Sequence, residues 1–338
     1  MGVPGEIAGL YEAWLKYGRR PWKELFQPAI RLVKDGFLVA PYLANSLSGN
    51  ADTIMKDPGL RHVYAPNGKV LQAGETCYNH QLGLSLEAIA EGGPEALYNG
   101  AIGEKLISDV QSGGGILTMD DMRNYKVKVT DAVEVNTMGF TILGMPPPWS
   151  QIQDHGTSHF CIVDADRNAL SMTTTVNYPF GGGVLSQATG ILLNNEMADF
   201  SVPTEVSPDS LPPSPTNFIR PNKRPLSSMT PIIIVKDDQL AGVLGGSGGL
   251  YIIPAVIQVF LNHFVLGMEP LDAIQSPRVY HKLMPNVVYY ENWTMIDGDH
   301  IELSNYRKKF LKERGHQLES KAGGGVSIVE RKDLCRVR

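Results

Sequence analysis

Near Lys126 the spacing of apolar residues changes from helical to alternating, so the two halves of the chain cannot share one kind of secondary structure. Before that point, Ile7, Leu10, Trp14 and Leu15 fall at helical spacing over Glu6 to Tyr17, with Gly18 as a stop. A second helix is expected from Trp22 to Lys34, ending at Gly36, and further helices over 80–91 and 101–112. Gly92-Gly93-Pro94 and Gly113-Gly114-Gly115 break them. After it, Lys126-Val127-Lys128-Val129 alternates, and Glu134 to Gly144 continues with β-branched and aromatic residues. Apolar strands are expected at Gly190 to Asn194, Pro231 to Lys236 and Leu240 to Leu244, and an exposed loop over the Pro/Ser-rich Ser207 to Pro225. Helices are expected over 250–266 and near 299–314. Strands grouped before helices, on top of a helical start, predict α+β layering rather than a repeating βαβ unit.

Composition excludes several classes of function. The formal charge is −5, from 30 basic and 35 acidic residues, and Lys and Arg are scattered rather than striped, so nucleic acid is not an expected partner. Cys77, Cys161 and Cys335 are far apart and lack ligand spacing, which predicts free thiols and neither a disulfide framework nor a metal site. The apolar run Ile252 to Leu266 is interrupted by Pro254, Gln258, Asn262 and His263 and is too short to span a bilayer. MGVPGEIAGL shows no signal-peptide pattern. No cofactor is implied, and the compartment stays open.

Four stretches carry possible chemistry. In "DHGTSHFCIVDADRNALSMTTTVN", Gly156-Thr157 could be a nucleophile site. A threonine hydroxyl needs a base, and the α-amine of the same residue, once it is a chain terminus, has a pKa of about 7.7–8.0, near the optimum at neutral pH. A strand opened by a glycine turn explains the same residues. "GVLGGSGGL", residues 242–250, lies between a strand and a helix and could aim backbone N–H groups at an oxyanion, or be a plain connection. "RPLSSMTP" offers Ser227 and Ser228 as donors to a carboxylate, or as solvated loop hydroxyls. "LLNNEMADF" sets Glu196 and Asp199 three apart, able to hold an ammonium or to decorate a helix N-terminus.

Taken in order, "VPGEIAGLYEAWLKYG", "MPPPWS", "DHGTSHFCIVDADRNALSMTTTVNYPFGGG", "SQATGILLNNEMADFS", "RPLSSMTP" and "GGSGG" resemble the successive motifs of the γ-glutamyltransferases, or glutathione hydrolases, in wording closest to the plant enzymes. The resemblance implies an N-terminal-nucleophile hydrolase with an αββα sandwich, cut between Gly156 and Thr157 into large- and small-subunit segments 1–156 and 157–338. It further implies Thr157 as nucleophile and base, Thr175 as its hydrogen-bond partner and Asn177 as a contact to the glutamyl group. Glu196 and Asp199 would hold the substrate ammonium, Ser227 and Ser228 its carboxylate, and Gly248 and Gly249 the oxyanion. The implied substrates are glutathione and other γ-glutamyl compounds, with water, amino acids or dipeptides as acceptors.

Three departures accompany the resemblance: the family's N-terminal region with its carboxylate-pairing arginine, the long helical segment between "MPPP" and the Gly-Thr site, and its usual closing stretch have no counterpart in these 338 residues. They predict a shortened, incomplete sandwich of weak or no activity. Beside the hydrolase stand two other readings, an inactive family fragment that binds a partner or does nothing, and a relative cleaving other amides such as β-lactams.

Overall fold

The computed structural model describes residues 1–146, 157–204, 212–281, 283, 285–294, 298–321 and 325–330. The protein is α+β and divides into two compact units, Met1–Val129 with Tyr178–Met197, and Thr130–Asn177 with Ala198–Arg338.

The first unit is helical, with α1 Glu6–Tyr17, α2 Trp22–Asp35, α3 Pro41–Gly49, α4 Ala51–Lys56, α5 Pro58–Tyr64, α6 His80–Gly92, α7 Glu95–Tyr98, α8 Ala101–Ser112 and α9 Met119–Asn124. Two short strands, β1 Phe37–Leu38 and β2 Thr76–Cys77, pair antiparallel. Local signals start several helices. Asp57 and Asn79 accept the N–H groups of Leu60 and Leu82 at the heads of α5 and α6, and Thr118 and Asp121 form a capping box on α9. Trp22, Phe26 and Ile30 pack with Ile89, Leu97 and Leu106 in one core, and Leu47, Ile54 and Leu60 build a second.

The returning segment 178–197 serves both cores, Leu193 in the first and Leu185 in the second. Half-buried acids hold it: Leu185 N–H donates to Asp57 Oδ1 (3.2 Å), and Ser186 Oγ and Ala188 N–H donate to Asp109 Oδ2 (2.6 and 3.0 Å). This is why the strand expected over 190–194 does not form. Its apolar residues fill a helical core, and only an isolated bridge joins Leu185 to Leu192. The alternating Lys126–Val129 stretch also stays outside any strand.

The second unit is built on an antiparallel sheet ordered β14–β8–β7–β4–β3. Its strands are β3 Val133–Thr137, β4 Phe140–Gly144, β7 Ile232–Lys236, β8 Gln239–Gly246 and β14 Val326–Glu330. A helical stretch runs from Gly249 to Val265 as a 3₁₀ turn, α10 Ile252–Phe260 and a π-turn. It covers one face of the sheet: Ile234 and Leu244 pack with Ile252, Val256 and Val259, and Phe140 stacks edge-on to Phe260 and Phe264. On the other side lies the hairpin of β5 Thr157–Val163 and β6 Ala169–Thr175. Ser171 Oγ donates to Leu244 O (3.1 Å), and the His159 ring fills the space beside Gly245. Helix, sheet and hairpin thus form three stacked layers.

The first strand of the hairpin, β5, alternates strictly in burial. Residues 157, 159, 161 and 163 are half-buried, while Phe160, Ile162 and Leu170 on the outer face are 37%, 50% and 44% exposed. Beyond the sheet come α11 Pro270–Gln275, β9 Val279–Tyr280, β10 Val287–Tyr290, β11 Asn292–Thr294, β12 His300–Glu302, α12 Asn305–Lys312 and β13 Gln317–Ser320. The helix expected near 299–314 is therefore shorter, beginning at Asn305 after Ser304 caps it, because His300–Glu302 pairs with β11.

A Cβ at residue 245 would clash with the His159 ring, so the hairpin packs onto β8 only over a glycine. Gly245→Ala is expected to destabilise the protein by about 1–3 kcal/mol, the usual range for overpacking. Urea denaturation would read this as a lower midpoint with unchanged slope.

Candidate active site

Thr157 opens β5 and Thr175 closes β6, and antiparallel pairing sets them directly opposite each other. Thr157 Oγ1 donates to Thr175 Oγ1 at 3.2 Å. Thr175 Oγ1 also accepts the backbone N–H of Asn177 at 2.9 Å, a hydroxyl-closed turn that holds the threonine rotamer. Asn177 is fully buried and left-handed at φ 72°, a conformation Asn tolerates better than most residues. Gly156 lies outside the described residues.

The same inward face carries two more polar rungs, His159 opposite Thr173 and Cys161 opposite Ser171. His159 Nδ1 meets Thr173 Oγ1 at 2.8 Å, while Nε2 meets Ser171 Oγ at 3.3 Å and Cys161 Sγ at 3.4 Å. Burial between the sheets pushes the imidazole down from 6.5 to about 4, so it is neutral at physiological pH. Burial also raises the Cys161 thiol. His159 had no place in the sequence reading. Its signal was there, since polar residues occupy every second position (157, 159, 161 and 171, 173, 175) while the positions between are mainly apolar.

The ladder has a direction. Ser171 sits on Leu244 and His159 on Gly245, so the Thr157–Thr175 rung, next along, lies toward the Gly246 end of β8. There Gly248 (φ 115°) and Gly249 (φ 61°) take left-handed conformations that a side chain would strain. Gly249 also begins the 3₁₀ turn, and the first N–H groups of a helix have no intrahelical acceptor.

The remaining residues are placed by their own segments. Glu196 and Asp199 are the ends of one 3₁₀ turn, and Asp199 is 1% exposed. Ser227 and Ser228 precede β7. Ser228 is buried, and Ser227 Oγ is a buried hydroxyl with no hydrogen-bond partner among the described residues. Asn217, also missed in the sequence, joins these segments: it is fully buried, its Nδ2 donates to Asp199 O (2.7 Å), and its Oδ1 accepts Leu226 N–H (3.3 Å). One amide thus fixes Asp199 relative to the residue before Ser227.

The free thiols expected for Cys77 and Cys161 are observed, and Cys335 lies outside the described residues. Among the described residues no cluster of His, Cys, Asp and Glu is arranged to hold a metal ion, and no helix is long and apolar enough to cross a membrane.

The sequence model of the family described as Gamma-glutamyltranspeptidase matches residues 1–152 and 149–335. The chain belongs to this family. It is 51% identical to Glutathione hydrolase 3 of Arabidopsis thaliana, over 96% of this chain and 65% of that protein, and so spans just under two thirds of that relative's length. Glutathione hydrolase 2 of the same plant is 39% identical over 98% of this chain and 74% of its own length. A cephalosporin acylase from Bacillus halodurans shares the fold, with a TM-score of 0.80 over 97% of this chain and 74% of that one, at 19% identity. The alignment to Glutathione hydrolase 3 runs over 415 positions, and 415 − 338 leaves at least 77 positions of the relative with no counterpart inside the aligned chain. The two matches to the family model meet and overlap at residues 149–152, shortly before β5.

Protonating His159 means charging a half-buried ring packed against the sheet. Its folded pKa lies below the unfolded value, so its contribution to stability is intact above about 6.5 and is lost as pH falls from there toward about 4. Denaturation midpoints measured across that window should fall more steeply for the wild type than for His159→Gln.

Proposed function

We propose that this chain is a glutathione hydrolase and γ-glutamyltransferase whose nucleophile is Thr157. The observation that carries the reading is the Thr157–Thr175 hydroxyl pair at the mouth of the hairpin, 3.2 Å apart. The family membership and the names of the two plant relatives support the substrate class.

In the proposed maturation, Thr157 Oγ attacks the Gly156 carbonyl, the peptide bond shifts to an ester, and water hydrolyses that ester. The products are a carboxylate at Gly156 and a free α-amine at Thr157, dividing the chain into large- and small-subunit segments 1–156 and 157–338. In turnover, Thr157 Oγ attacks the γ-glutamyl carbonyl while its proton passes to the α-amine. Gly248 and Gly249 N–H groups stabilise the oxyanion, and the amine protonates the leaving nitrogen. The γ-glutamyl ester on Thr157 is then taken by water, or by the amine of an amino acid or dipeptide acceptor.

Recognition follows from charge. Glu196 and Asp199 receive the substrate α-ammonium, Ser227 and Ser228 donate to its α-carboxylate, and Asn177 contacts the glutamyl group. The buried Ser227 hydroxyl supports this assignment, because a buried donor without an acceptor is costly until a ligand supplies one. The reading requires neither metal nor organic cofactor.

Release of p-nitroaniline from γ-glutamyl-p-nitroanilide tests the proposal. Thr157→Ala should lose at least about 10³-fold in kcat, the scale seen when a nucleophile is removed. Thr175→Ala should lose about 10²-fold in kcat with little change in KM, because Thr175 orients the nucleophile rather than the substrate. Wild-type turnover that survives Thr157→Ala would refute the assignment.

A further inference from the structure

Two residues before Glu196 stands a half-buried asparagine, Asn194, that the proposed reaction does not use. The residue ahead of it is fixed: Leu193 N–H donates to Val184 O (3.0 Å), Leu193 O accepts Gly182 N–H (2.8 Å), and the Leu193 side chain is buried in the first helical core. From that anchor the Asn194 amide works at both ends. Its Oδ1 accepts two backbone N–H groups, that of Gly2 at 2.9 Å and that of Glu196 at 3.2 Å, and its Nδ2 donates to Gly2 O at 2.9 Å. Two donors on one atom fix which end of the amide is oxygen.

An asparagine oxygen that accepts the N–H two residues on closes an ordinary turn, and that contact alone means only that the chain bends there. The pairing with Gly2 is different in kind. It joins residues 192 positions apart and uses both backbone groups of Gly2, as a neighbouring strand would. Met1 and Val3, on either side of Gly2, pack against the same core that buries Leu193. Gly2 also borders the acid itself, since a Cβ placed on it would stand 3.6 Å from Glu196 Cβ. Glu196 is thus flanked twice, its N–H by the Asn194 oxygen and the base of its side chain by Gly2, and one amide holds both.

Only an amide does all of this. A carboxylate in its place would accept from both N–H groups but give no donor to Gly2 O, and an apolar side chain would offer neither. The other acid of the proposed pair has a counterpart device, the buried Asn217 whose Nδ2 donates to Asp199 O at 2.7 Å. Such tethers matter because a charge-assisted bond depends on where the carboxylate is aimed, and a misplacement of about 1 Å can cost on the order of 10²-fold.

We propose that Asn194 is a positioning residue for recognition of the substrate α-ammonium. By pinning Met1–Val3 to the turn that begins at Glu196, it sets where the Glu196 carboxylate stands. The proposal rests on Glu196 receiving that ammonium. Asn194 acts through Glu196 and takes no part in the acyl transfer.

Two anilides that differ only in the α-amino group read this role, γ-glutamyl-p-nitroanilide and glutaryl-p-nitroanilide. In Asn194→Leu, kcat/KM for the γ-glutamyl anilide should fall about 10- to 100-fold, chiefly through KM, while that for the glutaryl anilide stays within about twofold of wild type. Loss of a merely structural contact would lower both alike, and that result would overturn the proposal. Asn194→Asp keeps an oxygen for both N–H groups and loses only the donor, so its selective loss should be smaller, about 3- to 10-fold. It carries the test if circular dichroism shows that Asn194→Leu does not fold. Calorimetric titration of the full chain with L-glutamate and with glutarate reads the same preference without turnover, so failure of Thr157 as nucleophile leaves the test intact. Glu196→Gln separates the two readings. If it abolishes the preference for the ammonium-bearing ligand while both Asn194 variants keep it, the positioning role is refuted and Glu196 stands. If Glu196→Gln keeps it too, or the wild type shows none, the assignment of Glu196 fails and takes this proposal with it.

Discussion

The candidate site depends on how a polar face of one hairpin is buried against a sheet. Thr157–Thr175, His159–Thr173 and Cys161–Ser171 form three rungs, and β8 passes beneath them with a glycine where the imidazole must fit. Burying polar side chains is tolerable only when each finds a partner, and the antiparallel register supplies one across every rung. Ser171 extends the network to the Leu244 carbonyl, and Cys161 to Ser327 on β14. A one-residue slip would turn all of these groups outward, so register, burial and the position of Thr157 are one constraint.

The hairpin has an unusual polarity for a half-covered strand pair. Its polar face is turned inward, and its apolar face, with Phe160, Ile162 and Leu170, is turned out. Strands that carry useful side chains on both faces are those of an inner layer. The two matches to the family model meet just upstream, at residues 149–152. Exposure on one side and a tightly satisfied ladder on the other therefore coexist in seven-residue strands.

Much of the helical start was legible because amphipathic period and glycine stops act locally: Glu6–Tyr17 and Ala101–Ser112 form with the expected ends. β7 and β8 form where strands were expected, β8 running on from Leu244 to Gly246, with Ile234 and Val243 to Gly246 buried in the sheet. The failures lie where tertiary context outweighs local pattern. Residues 190–194 are apolar enough for a strand, yet Leu193 is consumed by a helical core. Short strands such as Val279–Tyr280 and Gln317–Ser320 exist through pairing with β10, over stretches too brief for any period to show. At the site, the Thr157–Thr175 contact was an implication of the family resemblance, and the antiparallel register of β5 and β6 sets the two residues opposite each other. His159 was legible only as one of the polar residues at every second position of the hairpin, and Asn217 not at all, because the partners of a buried asparagine are met only in the folded chain.

The direct test of the account is intact mass after incubation at neutral pH, wild type beside Thr157→Ala. The hairpin-mouth assignment predicts that the wild type divides into two chains with the new N-terminus at Thr157, while Thr157→Ala keeps a single mass. Two undivided chains, or cleavage that persists without the Thr157 hydroxyl, would contradict the claim that this ladder holds a self-processing nucleophile.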